Sequence, residues 1–138
     1  MNRLSTILCV AGLAVTATTG MAQVVPAGFT GSYFQNFDSL PIGANAATWT
    51  WTNGSTLPGW YAFQQNGTGG SGTWTVPPLS RTVISDGSQN SGALYSYGTI
   101  GNTNRALGLA SSGTSGNQDI ALALRNDSAQ TYNSITIT

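Results

Sequence analysis

The sequence predicts an all-β protein, an antiparallel β-sandwich similar to a jelly roll, and three observations lead there. Good helix formers are scarce: there is no Glu and no Lys, and Gly, Thr, Ser and Asn supply 63 of the 138 residues. Apolar residues alternate in short runs bounded by Gly, Pro and Asn, the period of a half-buried strand. The chain also holds 4 Trp, 5 Tyr and 4 Phe. Disordered chains are poor in such residues, so the competing reading of a low-complexity, unfolded chain is weakened. Many short strands without helices indicate a sandwich or barrel.

The elements follow in order. Strands are expected at Tyr33–Phe37, Thr48–Thr52, Trp60–Gln64, Gly72–Val76, Arg81–Ile84, Ala93–Tyr97, Arg105–Leu109, Asp119–Arg125 and Ser134–Thr138. Turn signals separate them: Asn53-Gly54, Pro58-Gly59, Asn66-Gly67, Pro77-Pro78, Asp86-Gly87 and Asn126-Asp127. Asn-Gly and Asp-Gly tolerate the positive φ of tight turns. Residues 66–72 (NGTGGSG) read as a flexible loop, and the Gly/Ser-rich stretch 108–118 reads as a long turn.

The first segment reads as an address. Arg3 supplies a positive start, and Leu4 to Val15 is mostly apolar, long enough for a signal peptide and too short to span a bilayer. Small residues at Gly20 and Ala22 place cleavage between Ala22 and Gln23, so residues 1–22 are a signal peptide and 23–138 a single module. The lone Cys, Cys9, leaves with the signal, and no disulfide framework remains for an exported chain. No later segment has the length and apolarity of a membrane span. The expected location is extracellular or at the cell surface.

Charge excludes several functions. Only 6% of residues are charged, against about 25% in ordinary domains. The bases are Arg3, Arg81, Arg105 and Arg125, and the acids are Asp38, Asp86, Asp119 and Asp127. Scattered Arg make no basic patch, so nucleic acid is not an expected partner. With no His and no Lys, His-based triads, Schiff-base chemistry and phosphate-binding loops lack their parts. No Ser sits in a Gly-x-Ser-x-Gly elbow. The module is expected not to be an enzyme.

Four short motifs look familiar in their order: residues 35–41 (QNFDSLP), 56–61 (TLPGWY), 95–98 (YSYG) and 104–108 (NRALG). Together they resemble the N-terminal β-sandwich region of secreted or surface bacterial proteins of unassigned activity, some of which carry C-terminal sorting signals. Residues 126–137 (NDSAQTYNSITI) fit the start of that family's last motif. The resemblance implies a continuation into Tyr-Thr-Gly-Glu-Gln-Trp-Arg. It therefore implies that Ser134–Thr138 is a strand interior and that the chain is the N-terminal part of a larger protein. It implies no catalytic residues.

Candidate site residues remain. Trp49 and Trp51 alternate with Thr and so share one face of a strand. Exposed, they would stack on sugar rings, with Asn53, Gln64 and Gln65 nearby to bind hydroxyls; buried, they would be core. Arg105 would bind a ligand carboxylate or pair with an Asp between strands. Asp38 and Asp119 are candidate ligands for a structural Ca²⁺, a hard cation that takes oxygen donors. No other cofactor is expected. Asp86 and Asp127 sit in turn sequences, and a catalytic carboxylate pair for glycoside hydrolysis is disfavoured. The glycosylation sequons at Asn53, Asn66 and Asn126 are attributed to composition.

The expected function is a structural or adhesive role in an extracellular or surface protein. The alternatives are a carbohydrate-binding module using exposed Trp, with polysaccharide or cell-surface components as partners, and an accessory domain of a larger secreted hydrolase.

Overall fold

The computed structural model describes residues 24–65, 74–75, 81–113 and 115–137. The signal segment with its cut between Ala22 and Gln23 lies outside them, as do Asn66–Gly72 and most of the expected strand around Trp74. Among the described residues the chain is all-β, with no helix. Among these residues no helix is long and apolar enough to cross a membrane.

Eight strands run in the order β1 (Ala27–Phe29), β2 (Trp60–Gln65), β3 (Trp74–Thr75), β4 (Thr82–Ser85), β5 (Ala93–Tyr97), β6 (Ala106–Ala110), β7 (Gln118–Leu122) and β8 (Leu124–Asn126). They form three sheets, ordered β1-β8, β3-β2-β7 and β4-β5-β6. The expected antiparallel pairing holds for β2 with β3, β2 with β7 and β5 with β6. The pairs β1–β8 and β4–β5 are parallel, so the β4-β5-β6 sheet is mixed. The Asp86–Gly92 link between parallel neighbours is short for a crossover. It suffices because β4 has only four residues, a return path of about 13 Å.

Several local features follow from sequence. Trp60 N–H donates to the Leu57 carbonyl at 3.0 Å, and Gly59 lies at φ 80. This is a type II turn, with Pro58 and Gly59 in the positions that chemistry favours. It launches β2. On β2, Trp60, Ala62 and Gln64 share a face and stand opposite Leu122, Ile120 and Gln118 of β7. Tyr61 and Phe63 occupy the other face, their rings stacked at 6.5 Å.

The core joins the two three-stranded sheets. Leu40, Trp51, Leu57, Ala62 and Leu94 form its buried centre, with Phe37, Trp49, Trp60, Leu107, Leu109 and Ile120 packed against it. Ala62 and Ile120 come from one sheet, and Leu94, Leu107 and Leu109 from the other. A second cluster of Val83, Ala93 and Tyr95 occupies the opposite face of β4 and β5. Both faces of β5 are therefore covered, which fits its near-continuous burial.

Four expected strands differ. Residues 33–37 form none, because local side chains take the backbone donors. Gln35 Oε1 accepts Phe37 N–H at 2.9 Å and Asn36 Oδ1 accepts Asp38 N–H at 3.2 Å. Phe37 itself sits at φ 62, outside the strand region. Residues 48–52 make only an isolated bridge, Thr48 to Val83. The run Asp119–Arg125 breaks at Ala123, whose N–H donates to Gly59 O and whose carbonyl accepts Ala27 N–H. One run of sequence thus serves two sheets. Residues 134–137 pair with no strand, and Ile135 and Ile137 stand exposed.

Candidate functional site

Trp49 and Trp51 do lie on one side of their segment, with rings 5.9 Å apart and edge to face. That side is the protein interior. Trp51 is 3% exposed and belongs to the core centre, which corrects the exposed reading for this residue. Its indole N–H donates to Asn53 Oδ1 at 2.6 Å. The same oxygen accepts Ala62 N–H at 2.8 Å, and Asn53 Nδ2 donates back to Ala62 O at 3.2 Å. Asn53 therefore completes β2 as a surrogate neighbour, and its amide is occupied rather than offered to a ligand. Gln64 is likewise buried, donating to Ser115 O at 2.8 Å. Trp49 is half-buried against the core, and its indole N–H is buried without a hydrogen-bond partner among the described residues.

Arg105 is 3% exposed and pairs with no Asp. Its Nε donates to Ser96 Oγ at 3.0 Å and its Nη1 to Thr99 O at 3.1 Å. Its Nη2 donates to the carbonyls of Ser96 and Ser85. Burial lowers its pKa from the ordinary arginine value. The group that was expected to meet a ligand carboxylate or a carboxylate of the fold instead binds the chain's own carbonyls. Ser96 Oγ donates onward to Pro41 O at 2.9 Å.

That relay ties three of the four motifs together. Pro41 ends the QNFDSLP segment, Ser96 sits in YSYG and Arg105 in NRALG. Within them, Leu40 is core, Tyr95 is fully buried and Tyr97 stacks on Tyr95 at 4.7 Å. A Cβ at Gly108 would meet the Tyr97 ring at 2.6 Å, so only glycine admits that ring. The motif residues act on the fold.

Asp38 and Asp119 are both exposed. The Asp38 carboxylate accepts Asn36 Nδ2 at 2.7 Å, and Asp119 stands opposite Phe63 in the β2–β7 register. Among the described residues no group of three or more His, Cys, Asp or Glu is gathered in a way that would hold a metal. Asp127 is bound by Arg125 through two hydrogen bonds, of 2.5 and 3.2 Å, which hold its carboxyl below the usual carboxylate range. Hydrogen bonds from Ser88 do the same for Asp86.

One open groove, of about 360 Å³, lies where β1 and β8 face the segment after Gln130. Phe29, Leu124, Tyr132 and Ile135 supply its apolar walls, and Asn126, Gln130 and Thr131 its polar lining. The Phe29 and Tyr132 rings are 5.7 Å apart and tilted by 33°. A compact turn shapes it: Asn126 Nδ2 donates to Gln130 O at 2.7 Å, and Asn126 Oδ1 accepts Ser128 N–H at 2.9 Å. Sequence reasoning missed this groove. β1 is three residues of low strand propensity behind a proline, and Tyr132 stands alone in a polar stretch. The alternation of Ser134–Ile137 was the one available signal.

No family model, curated protein or solved structure matches the chain.

Proposed function

We propose that the chain is a secreted, non-catalytic β-sandwich module of jelly-roll type with a structural or adhesive role in an extracellular or cell-surface protein. The observation that supports it best is the use of the polar motif residues. Arg105 and Ser96, and Asn53 just ahead of the second motif, spend their hydrogen-bonding groups on backbone, on each other and on Trp51. Groups so committed hold a scaffold rigid and are not free to bind or to transfer protons. The sandwich architecture is supported by the core cluster shared between the β2 and β5 sheets. The surface role is supported by a leader-like first segment and a neutral surface hydrated by Ser, Thr and Asn.

The test is export and purification of the full chain from a bacterial host. The exported protein is expected to begin at Gln23, to bind bacterial cell-envelope preparations, and to turn over no glycoside, ester or peptide substrate. Reproducible turnover, retention in the cytoplasm, or failure to bind envelopes would overturn the reading.

A second reading, carbohydrate binding, is favoured by the groove beside Phe29 and Tyr132. It no longer rests on Trp51 or Asn53.

A further inference from the structure

We infer that the groove between β1, β8 and residues 130–135 is a binding site for an uncharged polysaccharide chain. The inference rests on the adhesive reading above and names its ligand class. Phe29 and Tyr132 pack against each other, with ring centroids 5.7 Å apart and planes tilted by 33°. Tyr132, the exposed member of the pair, offers aromatic surface to the apolar C–H face of a sugar ring. Tyr132 is 40% exposed and Ile135 71% exposed, with Phe29 half-buried beside them. Buried aromatics elsewhere, such as Trp51 and Tyr95, offer no such surface.

The polar lining suits hydroxyls. Gln130 and Thr131 border the groove, and neither side chain has a hydrogen-bond partner among the described residues. An amide and a hydroxyl each both donate and accept, which matches a sugar hydroxyl that does the same. Asn126, by contrast, is spent on its own turn.

Charge decides the class. No charged residue lines the groove. The nearest ions along the chain, Arg125 and Asp127, neutralise one another in a two-point pair. An anionic polymer would find no free cation here, and a cationic one no free carboxylate. The opening of about 360 Å³ lies at the small end of ligand sites.

The full exported chain is tested by calorimetry against cellohexaose, xylohexaose, mannohexaose and chitohexaose, with oligogalacturonate as the anionic comparison. Binding of at least one neutral probe and not the anionic one is expected. Tyr132→Ala is expected to weaken it by about tenfold, Tyr132→Phe to retain it, and Gln130→Ala to weaken it. The thermal melts of Tyr132→Phe and Gln130→Ala are expected to match the wild type, and that of Tyr132→Ala to fall slightly through loss of its contact with Phe29. Trp49→Ala is expected to leave affinity unchanged, since that ring packs on the core. Failure of every neutral probe, a preference for the anionic one, or unchanged affinity in Tyr132→Ala overturns the inference. A chain that binds envelopes but no glycan removes this inference and leaves the adhesive reading standing. A chain that binds glycan through Tyr132 but no envelope supports the inference and removes that reading.

Discussion

Arg105 donates from Nε to the hydroxyl of Ser96 at 3.0 Å, and both groups are buried. The Ser96 hydroxyl in turn donates a hydrogen bond to Pro41 O. Two consecutive, paired stretches of chain and the distant Pro41 meet at this one oxygen. A buried guanidinium without a carboxylate is tolerable because it finds several oxygen partners at once.

Arg105→Ala is expected to lower unfolding free energy by about 2–3 kcal/mol, because it removes the guanidinium donors of the buried Ser96 hydroxyl and carbonyl and empties a buried site. Arg105→Lys is expected to recover little, since a point charge cannot reproduce the planar fork. Ser96→Ala is expected to cost about 1–3 kcal/mol. Urea unfolding of the three variants measures this. A neutral Arg105→Ala would show that the relay contributes nothing to stability.

Trp51 and Asn53 form a second linked pair. Trp51→Ala empties the core centre and is expected to cost about 3–5 kcal/mol. Asn53→Ala keeps the volume of the core but leaves the indole and Ala62 N–H without their acceptor, at about 1–3 kcal/mol. The double variant is expected to cost less than the sum, because the two share a bond. Strict additivity in a double-mutant cycle would contradict the coupling.

Glycines in this chain divide by surroundings. Gly108→Ala drives a Cβ to within 2.6 Å of the Tyr97 ring and is expected to cost about 1–3 kcal/mol. Gly113→Ala meets nothing within 4 Å and is expected to be neutral or slightly stabilising. The melting temperatures of the two variants, compared side by side, test the assignment. Equal melts would mean that the Tyr97 ring moves aside freely.

Stability is expected to be nearly flat from about pH 5 to pH 8, since the chain has no His. Asp127 and Asp86 have folded pKa values lowered from 3.8, chiefly by hydrogen bonds from Arg125 and Ser88. The stability they contribute is complete above the unfolded pKa and disappears as pH falls through the lower folded value. Acid is therefore expected to lower the melt below about pH 4. Asp127→Asn is expected to reduce that drop, and salt to shrink it, because the pair is exposed. A melt that rises on acidification would reverse the assigned sign. A melt raised by Ca²⁺ and lowered again by EDTA would mark Asp38 or Asp119 as a ligand of a structural Ca²⁺, and an unchanged melt would remove that role.

Local chemistry was legible where it acts alone. Pro58-Gly59 makes the turn that its residue types specify, and the alternating runs at Trp60–Gln64 and Ala93–Tyr97 become strands. The pairing of those strands was not legible. The parallel partnership of β4 with β5 depends on which backbone lies alongside. The fate of Tyr33–Phe37 turned on Gln35 and Asn36 taking backbone donors, a competition whose winner depends on what else the backbone is offered.

The candidate site divides in the same way. By itself the sequence determined an all-β chain, poor in charge, with its polar chemistry confined to amides, hydroxyls and a few Arg and Asp. Tertiary structure alone decided which of those groups face water. Trp51 and Arg105 carry no local mark of burial, and Tyr132 none of exposure. Burial is a property of what packs around a side chain, and those neighbours come from other segments: Ala62 and Leu94 for Trp51, Ser85 and Ser96 for Arg105, Phe29 for Tyr132.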